Sequence, residues 1–119
     1  YSNNNFASDL INSYAWDTAI VFIQTFSGDA DYSMQARFQD TLTTTGNAHD
    51  SSNNYDVRCN IYDMAGNVAE WSTETPAAGN GMWTFRGGYC NISSDTVAHR
   101  YFGVTNGDKY IGFRSILYL

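Results

Sequence analysis

The sequence predicts one loop-rich α+β domain spanning residues 1–119. Three observations carry that expectation. A helix-period apolar pattern occupies the first quarter, and short alternating or apolar runs follow it, bounded by Gly, Asn, Asp and Ser clusters. The chain has 119 residues, of which 43% are hydrophobic. That is enough for a core without metal or disulfide staples.

Residues 1–7 are polar and Asn-rich and read as an extended lead-in. A helix is expected over 9–26, because Ile11, Ala15, Ala19, Phe22 and Phe26 recur at spacings of three and four. Asn12 or Ser8 serves as its cap, Asp17 sits in an early turn, and Gly28 stops it. Asp29 and Asp31 begin a polar turn. They do not open a calcium loop of the EF-hand type, because Met34 stands where that loop needs Gly and Asp40 where it needs Glu. Met34, Phe38 and Leu42 suggest a short second helix, and 43–54 is a long polar loop. Tyr55, Val57, Cys59 and Ile61 alternate with polar residues as in a strand. A turn around Gly66, apolar residues 68–71, a loop carrying the only Pro, a strand over 82–85 and a closing strand over 110–118 complete the chain. The sheets are expected to be small, twisted and antiparallel.

Composition excludes several functions. Six Lys and Arg stand against twelve Asp and Glu, a net charge of −6, which opposes nucleic acid or an anionic membrane as partner. No apolar run is long enough to span a bilayer, and no basic start followed by an apolar stretch reads as a signal peptide. Only 15% of residues are charged, 16% are aromatic, and nine are Tyr. Asn, Ser and Thr supply 34 of the 119 residues. Tyr offers rigid contact area and small polar residues offer adaptable hydrogen bonds, the chemistry of a recognition surface or of a loop-rich exported protein. Cys59 and Cys90 are either a disulfide or two separate thiols; sequence does not decide.

The most specific string is Asn60-Ile-Tyr-Asp-Met-Ala-Gly-Asn-Val-Ala-Glu-Trp71, followed by Arg86-Gly-Gly88, Arg100 and Ile111-Gly-Phe-Arg114. This ordered set resembles the C-terminal half of the formylglycine-generating-enzyme (sulfatase-modifying factor) family, and the run 14–22 with Trp16 looks like that family's short Trp-bearing helix. The resemblance spans 12–119 and implies a C-type lectin-like fold, minimal or truncated on its N-terminal side. It also implies a structural calcium held by the side chains of Asp63 and Glu70 and the carbonyls of Gly66 and Val68. An alternative reading has Asp63 capping the turn and Glu70 pairing with Arg86 or Arg114. In the same resemblance Arg86, Arg100 and Arg114 look like internal braces; the other reading is a grip on an acidic ligand.

The catalytic chemistry of that family is not matched. Its oxidases hold copper with two nearby cysteines, whereas only Cys90 follows the Gly-Gly pair here. His49 and His99 do not form the His cluster of its iron-dependent relatives. No redox cofactor is therefore expected. Cys90 with His99 supplies two ligands where zinc needs three or four. Asn91-Ile92-Ser93 fits the N-glycosylation pattern.

The segment 89–110 contains no Glu, Gln, Met or Trp. Except for Lys109, its residues are those reachable from Asn codons by changes at adenine. That set resembles the variable proteins of diversity-generating retroelements, several of which use this lectin fold; ordinary short-loop composition explains the same set. Tyr89, Tyr101, Phe102 and Tyr110 would anchor a ligand, with Asn91, His99, Val104, Asn106 and Asp108 around them. The expectation is a non-enzymatic recognition module on an extracellular, cell or virion surface. Its partner would be a protein or glycan, and the chain would sit alone or within a larger fibre or oligomer. The competing expectation is a copper-dependent oxidase acting on a protein cysteine, with Cys59 as the second thiolate.

Overall fold

The computed structural model describes residues 7–36, 56–76, 81–90, 94–103 and 108–118. Residues 7–10 do not start the helix. They form strand β1 (Ala7–Leu10), paired antiparallel with β8 (Ser115–Tyr118), so Ala7 stands opposite Tyr118. Ile11 N–H then donates to the Arg114 carbonyl at 2.9 Å, and the chain turns into α1 (Ser13–Phe26). Asn12 is the cap: its Oδ1 accepts from Ala15 N–H at 2.8 Å.

The buried stripe of α1 is Trp16, Ile20 and Ile23, one position away from the face expected. Phe22 and Phe26 are exposed and pack against each other, with ring centroids 4.8 Å apart. Trp16 sets the rotation, because its Nε1 donates to the Val97 carbonyl at 2.9 Å and its ring is fully enclosed. Around it, Ile11, Ile20, Ile23, Tyr32, Met64, Ala65 and Val97 form the core. Asp17 serves arginines rather than the helix terminus. Gly28 follows the helix with a φ of 76°, a conformation that favours glycine.

Tyr32–Met34 is a single 3-10 turn, after which Gln35 is extended. The second helix expected from Met34 therefore does not start there, and the rest of its span lies outside the described residues. The strand expected over 55–61 is a hairpin instead. Strands β2 (Val57–Arg58) and β3 (Ile61–Tyr62) pair antiparallel, and Cys59 and Asn60 both take positive φ, as a two-residue hairpin turn requires.

The main sheet has the order β6-β5-β4-β7, with β4 (Ala69–Trp71), β5 (Trp83–Arg86), β6 (Arg100–Gly103) and β7 (Ile111–Phe113). The expected closing strand is thus two strands in two sheets, split at Arg114. Nor is the sheet wholly antiparallel, since β4 and β7 run parallel. Alternation gives the sheet two faces. Glu70, Thr84 and Arg86 are buried on the α1 side. Trp71, Phe85 and Tyr101 point the other way and are half-buried.

Gly87 and Gly88 follow β5 with φ of 92° and 69°. At Gly87 a Cβ would lie 2.7 Å from the Met64 carbonyl, and at Gly88 2.7 Å from the Asp95 carbonyl. The pair lets the 63–67 bend and the 94–98 segment close on the end of β5, and Gly66 N–H donates to the Gly87 carbonyl at 2.8 Å. Among the described residues no helix is long and apolar enough to cross a membrane.

Candidate functional site

The site-bearing segment hangs on a guanidinium frame. Arg86 has a fully buried side chain. Its Nε donates to the His99 carbonyl at 3.1 Å and its Nη2 to the Ala98 carbonyl at 3.2 Å and to Asp17 Oδ1 at 2.6 Å. The guanidinium also lies 5.7 Å from the Trp16 ring. Arg100 takes the second Asp17 oxygen at 2.6 Å and reaches Glu74 through Nε. Arg114 makes a two-pronged pair with Glu70, at 2.7 and 2.8 Å, and donates to the Tyr62 carbonyl. All three arginines are braces. Burial pushes the Glu70 carboxyl above its ordinary pKa, although Arg114 opposes that shift.

The Glu70–Arg114 pair bears on calcium. Both Glu70 oxygens already accept from Arg114. Asp63 is buried in the bend with a φ of 52°, and Val68 is half-buried. Among the described residues no group of three or more His, Cys, Asp or Glu converges. A cation here would have to share Glu70 with the Arg114 guanidinium, and no chemistry is derived through that ion.

Beyond the frame lies an aromatic row. Register pairs Phe113 with Trp71, Trp71 with Phe85, and Phe85 with Tyr101, one residue from each strand of the main sheet. Trp71 meets Phe85 edge to face at 5.3 Å, Phe85 stacks on Tyr101 at 5.4 Å, and Tyr101 stacks on His99 at 4.3 Å. Phe113, at the far end, is 71% exposed. Trp83 lies on the same face, and an apolar cleft of about 210 Å³ opens between Leu10, Trp71 and Trp83. Gly103 is what lets the Phe85 ring lie flat here, since a Cβ would come within 2.9 Å of Phe85 Cε1.

Asp95 ties the row to the loop residues. It is buried, and its Oδ1 accepts from the Tyr101 hydroxyl at 2.8 Å and from Ser94 at 3.1 Å. His99 Nδ1 is 3.9 Å away. The Tyr101–Asp95 hydrogen bond, with some burial, raises the Tyr101 phenol pKa; burial first, then the Asp95 charge, raises that of Tyr89. Tyr89 stacks on Tyr110 at 5.5 Å.

The expected ligand-binding residues therefore divide. Tyr89, His99, Tyr101 and Tyr110 are half-buried or exposed and are linked through stacking and Asp95. Phe102 is exposed but faces the α1 side, opposite Tyr101. Asp108 is exposed, and its Oδ1 accepts from Tyr110 N–H at 3.0 Å. Asn91, Val104 and Asn106 lie outside the described residues. Trp71, Phe85 and Phe113 join the site only through strand register, which no local pattern in the sequence reports. Cys59 and Cys90 are both free thiols; Cys90 is buried, and burial pushes its thiol pKa up.

This arrangement, in which among the described residues one α-helix packs on small sheets and an antiparallel pair joins β1 to β8, is a C-type lectin-like fold. A solved structure with the same fold is Treponema denticola variable protein 1, at a TM-score of 0.61 and 17% sequence identity, with 91% of this chain covered. The chain spans 46% of that structure's length. No family model matches the sequence. No curated protein matches it either. The likeness to formylglycine-generating enzymes thus stays a resemblance of motifs.

Proposed function

We propose that this chain is a non-enzymatic recognition module whose ligand-facing surface is built from the segment 89–110 and the aromatic sheet face beside it. The supporting observation is the row from Phe113 to His99, in which the rings of Trp71, Phe85, Tyr101 and His99 touch in succession, on the sheet face opposite Glu70, Thr84 and Arg86. Rigid aromatics ringed by polar groups are what binding hot spots use. The likeness to a solved variable protein supports reading 89–110 as interchangeable, as in proteins diversified by retroelements. Arg86, Gly87 and Gly88 hold that segment by main-chain contacts, so its exposed and half-buried side chains can change while Cys90, Asp95, Val97 and Arg100 stay with the frame. The ligand would be a protein or glycan on another cell or virion surface, and the module would be displayed outside the cell.

The state of Cys90 counts against a copper oxidase. A buried thiol whose pKa burial pushes up is a poor nucleophile. The class is tested in the flanking DNA. A near-copy of the segment encoding 89–119, differing only at adenines and lying beside a reverse transcriptase gene, is the expected result. The surface is tested with a display library randomised at Tyr89, His99, Tyr101, Phe102, Asp108 and Tyr110. Most clones should fold and differ in binding; general loss of folding would refute the reading.

A further inference from the structure

We propose that the outer face of α1 is an interface between two copies of this chain, packed helix to helix and antiparallel about a two-fold axis at the level of Ile20. Asp17 on α1 meets Arg86 on the sheet face opposite the aromatic strip, so this surface and that strip lie on different sides of the molecule. The proposal therefore does not rest on the reading of 89–110.

The helix is apolar on both sides. Its inner stripe, Trp16, Ile20 and Ile23, fills the core. Outside, Tyr14, Thr18, Val21, Phe22, Thr25 and Phe26 recur at spacings of three and four, and all six are exposed. A surface helix ordinarily turns charged residues to water, and one that is apolar all round is a covered helix. Asp17 is the one charged residue of α1, and Arg86 and Arg100 hold both its oxygens. Thr25 spends its hydroxyl on the Val21 carbonyl at 2.8 Å, so it needs no partner beyond the helix.

Charge and shape point to a second copy as the cover. The chain carries a net charge of −6, so two copies repel across most faces. The outer face of α1 has no charge and lets them meet without that cost. The stripe is about 18 Å long, and an antiparallel mate centred at Ile20 sets Tyr14 against Phe26 of the second copy and Thr18 against its Phe22. Each ring thus meets another ring or a small side chain. Phe22 and Phe26 already pack together at 4.8 Å, a ridge formed before contact. Tyr14, Phe22 and Phe26 are 88%, 44% and 69% exposed. At about 150–250 Å² per aromatic side chain they alone offer roughly 300–500 Å². With Val21 and the two threonines, a pair of copies would bury about 1,000 Å², the lower bound of specific interfaces, and hence form a weak, reversible dimer.

The test is sedimentation velocity of the full chain between about 1 µM and 1 mM, with amide NMR shifts followed over the same dilution. Mean mass should climb from one chain toward two, and the shifts that move should centre on Tyr14, Thr18, Val21, Phe22 and Thr25. Val21→Glu places two carboxylates beside the axis, and Phe26→Ala removes both terminal ring contacts. Each should melt like the parent when dilute and weaken the dimer at least about tenfold. Phe113→Ala, on the other sheet face, should associate as the parent does. A monomer at every concentration, shifts centred on another surface, or undiminished association of both α1 variants would overturn the proposal. So would binding of phosphatidylcholine vesicles by a chain that stays monomeric, which would give the face to lipid.

Discussion

Arg86 is the residue on which the frame depends most, and replacing it with Met measures how much. The side chain is wholly buried, so no water can take over its contacts. Arg86→Met leaves the Ala98 and His99 carbonyls without their donor, at about 1 kcal/mol each. It removes the contact with the Trp16 ring, worth roughly 0.5–1 kcal/mol. The Asp17 pair adds less, about 0.5 kcal/mol, because that carboxylate is 45% exposed and keeps Arg100. The total is about 3 kcal/mol, at the low end for breaking a buried pair. For a domain of this length that lowers Tm by about 10 °C. Arg100→Met is the comparison, since its side chain is 40% exposed and should cost less than about 1 kcal/mol. Guanidinium denaturation followed by near-ultraviolet dichroism of the Trp residues reads both. Equal losses for the two variants, or an Arg86→Met loss below about 1 kcal/mol, would refute the account of Arg86 as the central brace.

Three further outcomes follow from the same geometry. Burial raises the Glu70 pKa in the folded chain, so its contribution is fully present below the unfolded pKa and is lost as pH rises through the folded one. Stability relative to Glu70→Gln should therefore fall as pH rises above about 4 in denaturant titrations; a rise would reverse the sign assigned to burial over Arg114. The Tyr101 phenol pKa is also raised, so its bond to Asp95 should stabilise the fold at neutral pH by about 1 kcal/mol over Tyr101→Phe, with the advantage lost as pH rises through that raised pKa. An advantage that persists at high pH would exclude Asp95 as the cause. Because Arg114 occupies both Glu70 oxygens, Tm should be the same in about 1 mM calcium and in excess chelator; a calcium-dependent rise would place an ion at the 63–70 bend.

Local chemistry was legible where short-range rules decide the structure. The Asn12 cap, the stop at Gly28 and the left-handed Gly87-Gly88 pair all follow from what those residues do within a few positions. What failed to show depended on distant partners. The rotation of α1 is set by a bond from Trp16 to Val97, 81 residues away, and no periodicity within the helix reports it. The break at Arg114 arises because its guanidinium turns back to Glu70 and Tyr62, which ends β7 and starts β8. The aromatic row exists only once the register of four strands is known. Trp71, Phe85 and Phe113 each looked like ordinary strand residues until β4 was found to pair antiparallel with β5 and parallel with β7.

The pairing of β1 with β8 has a mechanical consequence. Because Ala7 stands opposite Tyr118, whatever chain flanks the domain enters and leaves at one corner, and the rest of the body hangs from that point as from a single hook. Tension applied across the two ends loads the four rungs from Ala7↔Tyr118 to Leu10↔Ser115 one after another, a peeling geometry that yields at low force. The peel reaches Ile11 and the Trp16 core only after those rungs have opened, so under strain the chain can lose its hem while the core and the main sheet hold.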